Sequence, residues 1–266
     1  MNAALTLARR EVLRFARQRS RMIGVIASPI LFWIVIGSGL NDSFQYPGGP
    51  VDMSYLEYFY PGTLVLVVLF SAIFSSISII EDRNQGFLQS VLVAPIPRSS
   101  IVLGKVLGIT ILAMLQAGIF LLAAPLIVPE ATAGSLVLAM FVLMLVAFGL
   151  STLGFLIAWS MDSTQGFHAI MNLLLVPMWL LSGALFPSSG SAPWVAAIMR
   201  WNPLMYGVSA SRSALYGLIP GGGTDFPSFG MSIVVLLVFW IAALTLAVLR
   251  VQRRQRSSPT RHKSLS

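Results

Sequence analysis

An all-α integral membrane protein is the fold class this sequence predicts. The expected form has six transmembrane helices, both termini cytoplasmic, an amphipathic helix before the first span, a short cytoplasmic helix between spans two and three, and short re-entrant helices between spans five and six. Three observations predict it. Of 266 residues, 56% are hydrophobic and only 10% charged, where a water-soluble domain carries about 25% charge to keep its surface wet. The mean hydropathy is +0.84. Six stretches are long and apolar enough to cross a bilayer, a helix needing about 20 such residues. Runs such as LVLVVLF and VVLLVFWIAALTLAVL are apolar on every side, unlike the alternating segments of about ten residues that build a membrane β-barrel.

The spans run from Met22 to Leu40, Pro61 to Ile80, Val106 to Val128, Ser135 to Trp159, His168 to Phe186 and Gly230 to Leu249. They organise the chain into a cytoplasmic segment 1–21, a transmembrane domain 22–250 and a basic tail 251–266. None carries Asp, Glu, Lys or Arg in its interior, and His168 sits at an edge. Orientation follows from the flanks, because Lys and Arg accumulate on the cytoplasmic side. Arg9, Arg10, Arg14, Arg17, Arg19 and Arg21 precede the first span, Arg83, Arg98 and Lys105 lie between the second and third, and Arg250, Arg253, Arg254, Arg256, Arg261 and Lys263 follow the last. The other side keeps Arg200 and Arg212 alone. The first span also has the arginine-rich front of a secretion signal, but it exceeds the length of about 7–15 residues usual for one and reads as a retained anchor.

Before the first span, Leu5, Ala8, Val12, Phe15 and Ala16 share one helical stripe with arginines on the other faces. That is the pattern of a helix lying in the membrane interface, its arginine stems reaching phosphate; a plain positive-inside flank is the alternative. Between spans two and three, Phe87, Leu88, Val91 and Leu92 recur at helical spacing until Pro95 and Pro97 stop the helix. Ser99 or Ser100 then caps the next. Nothing else in the chain obviously covers that apolar face, which marks a partner surface, unless the segment is an ordinary connecting loop on the membrane. Between spans five and six, some 43 residues hold Trp194, Trp201, Tyr206 and Tyr216 with Pro187, Pro193, Pro203 and Pro220. Aromatic residues prefer the headgroup level, so this loop reads either as short helices dipping into the outer interface or as an aromatic belt on its surface. Gly221 to Gly223 supply a flexible link into the last span.

The inventory of chemistry is thin. No Cys is present, and two His make a histidine-built metal site improbable. The phosphate-cradling pattern G-x-x-x-x-G-K-[ST] fails at Gly104-Lys105, since Ser99 replaces the first glycine and Val106 follows. No catalytic motif is found, so the chain is expected not to be an enzyme and to bind no cofactor. An ion-coupled transporter or channel, the alternative function, usually keeps Asp, Glu or His inside the bilayer. Gln116, Ser151, Thr152 and Asn172 are the polar residues within or near spans, suited to helix packing before substrate contact. Energy for any such process must come from elsewhere.

Two signatures then meet in the right order. Pro61-Gly62 opens the second span, followed by Glu81, Arg83, Gly86, Leu88, Val91, Ala94-Pro95, Arg98 and Gly104-Lys105. Later come Ser182-Gly183, Phe186-Pro187, Trp194, Asn202-Pro203, Tyr206 and Arg212. Over most of its length the chain thus resembles the permease subunit of type-2 ABC exporters, and the run around LVAPIPR is similar to that of drug- and lipid-type members related to daunorubicin-resistance and nodulation-factor permeases. The resemblance implies a pair of permeases, identical or paralogous, in a bacterial or archaeal plasma membrane. Each docks a separate ATPase subunit that carries ATP and Mg. It implies that the segment 1–21 is the elbow and that the cytoplasmic helix is the coupling helix. The interface with the ATPase would then comprise Glu81, Asp82, Arg83, Gly86, Phe87, Leu88, Val91, Leu92, Ala94, Pro95, Pro97 and Arg98. Ser182, Gly183, Phe186, Pro187, Trp194, Asn202, Pro203, Tyr206 and Arg212 would form the outer gate. The implied cargo is a drug, lipid or lipid-linked glycan moved outward, and no nucleic acid is involved.

Overall fold

The computed structural model describes residues 3–41, 53–217 and 227–256. Gly221 to Gly223 and the tail beyond 256 lie outside these. Eleven α-helices follow one another: α1 (Ala3–Ala16), α2 (Arg19–Leu40), α3 (Tyr55–Asn84), α4 (Phe87–Val93), α5 (Arg98–Leu121), α6 (Ala124–Ile127), α7 (Ala133–Trp159), α8 (Thr164–Leu180), α9 (Pro193–Trp201), α10 (Pro203–Tyr216) and α11 (Phe229–Arg256). No strand occurs among the described residues. Five of these helices, α2, α3, α5, α7 and α11, are long and apolar enough to cross a membrane.

The fifth expected span departs from its boundaries. Instead of running to Phe186 it forms α8, which contains Pro177 and stops at Leu180. Ser182 turns its hydroxyl back onto the Trp179 carbonyl, and Gly183 adopts φ +79°, a conformation that ends a helix without a Cβ penalty. Seventeen residues make a rod of about 25 Å, against a hydrocarbon layer of about 30 Å. The third expected span is also divided, α5 ending at Leu121 and α6 following.

α3 is the central post. It is buried along nearly its whole length and packs against α2, α5, α7, α8 and α10. Ser54 caps its first turn by accepting from the Glu57 amide, while the Glu57 side chain accepts from the Ser54 amide. α7 and α5 complete the core around Leu64, Val68, Ile109, Val142 and Phe155. α2 and α11 lie outside it, exposing Leu31, Ile34, Val35, Val234, Val238 and Ile241. Such faces are stable only against hydrocarbon or another apolar surface.

α1 corrects the expected stripe. It packs along α5, so its buried side is Leu7, Ala8, Glu11 and Phe15, while Leu5 and Ala16 are exposed and Val12 is half-buried. The reason is steric. Gly104 and Gly108 of α5 would, with a Cβ, meet the Ala4 carbonyl and Leu7 at 2.8 Å and the Glu11 Cβ at 2.7 Å. Two small residues one turn apart therefore let the backbones touch. The expected cap by Ser99 or Ser100 is corrected too, since α5 begins at Arg98 behind Pro97 with no side-chain cap.

Candidate functional sites at the two ends of the bundle

At the end where α3 finishes, three basic and three acidic side chains assemble. Lys105, only 2% exposed, donates to Glu11 Oε1 at 2.5 Å and to Asp82 Oδ2. Ser78 Oγ donates to the other Glu11 oxygen at 2.6 Å. Asp82 is fully buried and receives both Arg10 Nη atoms at 2.9 Å and Arg14 Nη1 at 2.6 Å. Arg14 Nη2 reaches Glu81 at 2.8 Å. The Arg10 guanidinium lies 3.5 Å over the Phe87 ring, and its hydrogen bonds to Asp82 raise its pKa above the ordinary arginine value. Formal charges within the group cancel. Removing Lys105, Glu11 or Asp82 would strand a buried charge, and the half-buried Arg10, Arg14 and Glu81 tie these three into one unit. The unit joins α1 to α3 and α5, and through Arg10 to α4.

α4 is positioned by what surrounds it. Gly86 sits at φ +77°, a region costly for a residue with a Cβ, and reverses the chain between α3 and α4. Arg83 turns the other way: it donates to the Trp159 carbonyl at 2.6 Å, the Met161 carbonyl at 2.7 Å and Asp162 at 2.9 Å. A cation thus closes the C-terminus of α7, where unpaired carbonyls concentrate. Leu88 is 3% exposed and packs into the core. That corrects the expected docking face. Leu88 and Asp82 are covered by the protein itself, Val91 and Leu92 are half-buried against the core, and the outward strip consists of Gln89, Ser90 and Val93, the last 85% exposed. Pro95 and Pro97 extend this strip, with Ala94 half-buried just before them and Arg98 opening α5.

At the opposite end, a proline organises a second site. Pro61 has no amide hydrogen, so the Glu57 carbonyl four residues earlier loses its helical partner. Tyr216 Oη donates to that carbonyl at 2.7 Å. The neighbouring carbonyls of Leu56, Tyr58 and Gly62 receive Trp33 Nε1 at 3.0 Å, Arg212 Nη2 at 3.1 Å and Trp179 Nε1 at 2.9 Å. Gly62 itself is required by contact, for a Cβ there would lie 2.4 Å from that of Ala184. The turn after α8 is held likewise. The Gly183 carbonyl accepts from Tyr58 Oη at 3.0 Å and Arg212 Nη2 at 3.3 Å, and the Leu185 carbonyl from Tyr55 Oη at 2.9 Å. Arg212 stacks 4.2 Å from the centre of the Tyr58 ring.

Asn202 does double duty between α8 and α10. Its Nδ2 donates to the carbonyls of Met178 at 2.5 Å and Leu181 at 2.9 Å, closing α8, while its Oδ1 accepts from the Leu204 amide to open α10, with Pro203 in the first helical position. Tyr206 closes α9 by donating to the Arg200 carbonyl at 2.9 Å. The expected outer residues therefore split. Ser182, Gly183, Asn202, Pro203 and Arg212 converge on the turn, and Pro187 lies buried beyond it. Trp194 and Phe186 are exposed and make no part of the lock.

A family model for the ABC-2 type transporter matches residues 2–216, which include both sites. The chain belongs to that family. Similar proteins carry permease names: ycf38, described as a transport permease, from Cyanophora paradoxa, is 28% identical over 243 residues, 88% of this chain and 83% of that one. YadH of Escherichia coli K12, an inner membrane transport permease, is 25% identical across 82% of this chain and 81% of its own length. YbhR of the same strain, described as a multidrug ABC transporter permease, is 30% identical over 58% of this chain and 42% of its own. The chain is thus an ABC-2 permease subunit, a multi-pass membrane protein, and the family implies an ABC ATPase partner in general.

Several residues of this ABC-2 permease escape the motifs. Glu11 reads as one acid among arginines, although Gly104-x-x-x-Gly108 announces a close helix contact above which an inward side chain would be buried. Tyr216 reads as an interface aromatic, and Tyr55 and Tyr58 belong to no motif. Only Pro61 signals that a carbonyl nearby needs a donor. Gln116 is buried with its Oε1 lacking a partner, Thr152 bonds back to the Phe148 carbonyl of its own helix, and Asn172 is exposed on α8.

Proposed function

We propose that this chain is the membrane half of an ATP-driven exporter, the outward strip of α4 docking on the ATPase and the six-residue ionic unit carrying the push into α1, α3 and α5. The observation that carries the reading is the pair Asp82 and Lys105: buried charges locked between three helices, one turn from a short exposed helix, make a rigid lever where a soluble partner would press. A flexible loop would dissipate the same force.

The chain crosses six times in this reading, α8 included. Because α8 is about 5 Å shorter than the hydrocarbon layer, its terminal turn and the helices α9 and α10 sit below the outer surface as re-entrant elements. Irregular backbone is tolerated at membrane depth when its polar groups are satisfied by protein, and the donors from Tyr55, Tyr58 and Arg212 do this. That lock is the outer gate. Two permeases face each other across the exposed apolar helices, and the cargo leaving between them is hydrophobic or amphipathic, a drug, lipid or lipid-linked glycan. The arginine-rich end faces the cytoplasm of a bacterial or archaeal cell. ATP and Mg are held by the partner, not by this chain.

Co-expression with the cognate ATPase tests the reading. Val93→Asp, at an exposed position, is expected to abolish co-purification and ATP turnover while leaving the chain's own thermal unfolding unchanged. Assembly and turnover equal to wild type would reject α4 as the docking element.

A further inference from the structure

The outer face of α1 carries a feature that neither the ionic unit nor ATPase docking uses. An open groove of about 590 Å³ runs along it, lined by Arg9, Arg10, Leu13, Arg14 and Arg17. Arg10 and Arg14 are already paired with Asp82 and Glu81. Arg9 and Arg17 are exposed, and among the described residues neither has an acidic partner. They stand eight residues apart, Arg9 on α1 and Arg17 in the turn that follows its last residue, with Leu13 midway between them in sequence, 49% exposed, and Leu5 beyond, 58% exposed. The groove therefore has two uncompensated cations and one apolar side chain, Leu13, beside the polar Thr6 and Gln18, with Leu5 exposed next to it.

Its depth follows from chain continuity. α1 ends at Ala16 and α2 begins at Arg19, and the exposed apolar side of α2 starts at Ile23. The groove consequently lies directly beside the helix that enters hydrocarbon, at the level of the headgroups. A soluble acidic partner would leave Leu5 and Leu13 in water. A phospholipid covers them with its acyl chains.

We propose that this groove binds an anionic phospholipid, its phosphodiester held between Arg9 and Arg17 and its glycerol and upper acyl segment lying on Leu13. The bound anion offsets the excess positive charge of α1, so the lipid steadies the helix that carries Arg10, Arg14 and Glu11. The inference rests on the reading that the arginine-rich end is cytoplasmic, and it does not require the ATPase.

The test uses the full chain alone. Wild type is reconstituted in phosphatidylcholine vesicles with or without phosphatidylglycerol, and retained lipid is read by native mass spectrometry after detergent extraction. Phosphatidylglycerol is expected to raise the unfolding temperature and to survive as a bound adduct. Arg9→Gln/Arg17→Gln is expected to lose both effects and Arg9→Lys/Arg17→Lys to keep them, whereas Arg253→Gln/Arg254→Gln, which leaves the groove intact, is expected to resemble wild type. Equal stabilisation of the double glutamine variant would overturn the proposal. So would the same stabilisation by soluble glycerol phosphate, which would make the ligand a free phosphate. Loss of ATPase co-purification in neutral detergent by that variant, with lipid retention intact, would assign the groove to the ATPase instead. Failure of the ATPase to bind wild-type chain would reject the exporter reading while leaving the lipid result standing.

Discussion

Lys105 is the residue on which the ionic unit turns, because it bridges Glu11 of α1 and Asp82 of α3 from a position with almost no solvent contact, whereas Arg10, which also touches both, is a third exposed. Lys105→Met leaves two buried carboxylates short of a cation. Breaking a buried pair from one side costs about 3–5 kcal/mol, so a marked fall in unfolding temperature is expected. Glu11→Leu together with Lys105→Met removes one charge of each sign and leaves Arg10 and Arg14 with Asp82 and Glu81. The double variant should be more stable than Lys105→Met alone, and thermal unfolding of the set in detergent reads the coupling. A double variant worse than both singles would mean that the residues do not act as a unit. The tyrosines at the other end permit a similar comparison. Tyr216→Phe orphans the Glu57 carbonyl freed by Pro61 and should cost about 1–3 kcal/mol. Tyr206→Phe exposes an α9 carbonyl already near solvent and should cost under about 0.5 kcal/mol.

Elements were far more legible in the sequence than their mutual contacts. Hydropathy over long windows locates five of the six expected spans as helices long and apolar enough to cross, because a helix must hide all its backbone groups from lipid whatever its neighbours are. It could not fix where α8 ends, since Leu181 to Phe186 is as apolar as the helix before it; a single hydroxyl, Ser182, and the left-handed Gly183 decide the matter. The amphipathic pattern of α1 is visible too, yet the buried face is rotated away from the apolar stripe. Apolar counting leaves Glu11 off the stripe, whereas Lys105 and Ser78, distant in sequence, make its burial favourable. Leu88 differs for the opposite reason: an apolar residue on a short loop helix has no cover visible in the sequence, but the core reaches it. The seat of α1 gives a test at this scale. Gly104→Leu puts a Cβ 2.8 Å from the Ala4 carbonyl, a backbone atom that cannot move aside. α1 should lift from α5, and trypsin should then cut at Arg10 and Arg14 faster than in wild type. An unchanged digestion pattern would show that the close glycine contact is dispensable.

For the whole molecule, the decisive question is how often the chain crosses the bilayer. Five helices satisfy length and composition, and α8 falls just short. If α8 crosses, the α3–α5 connection and the turn after α8 lie on opposite sides, because α5, α7 and α8 intervene. If α8 only dips and returns, they lie on the same side, and the last span would carry the arginines after Leu249 outward, against the charge asymmetry that favours a cytoplasmic tail. The chain has no cysteine, so single introduced thiols report position without background. Ser90 of α4 and Ser189 after α8 are both exposed. In intact cells, Ser189→Cys should react with a membrane-impermeant maleimide and Ser90→Cys should not, while inverted vesicles should reverse the two. Labelling of both from one side would reduce the span count to five and remove the outer position assigned to Tyr58, Gly183 and Arg212.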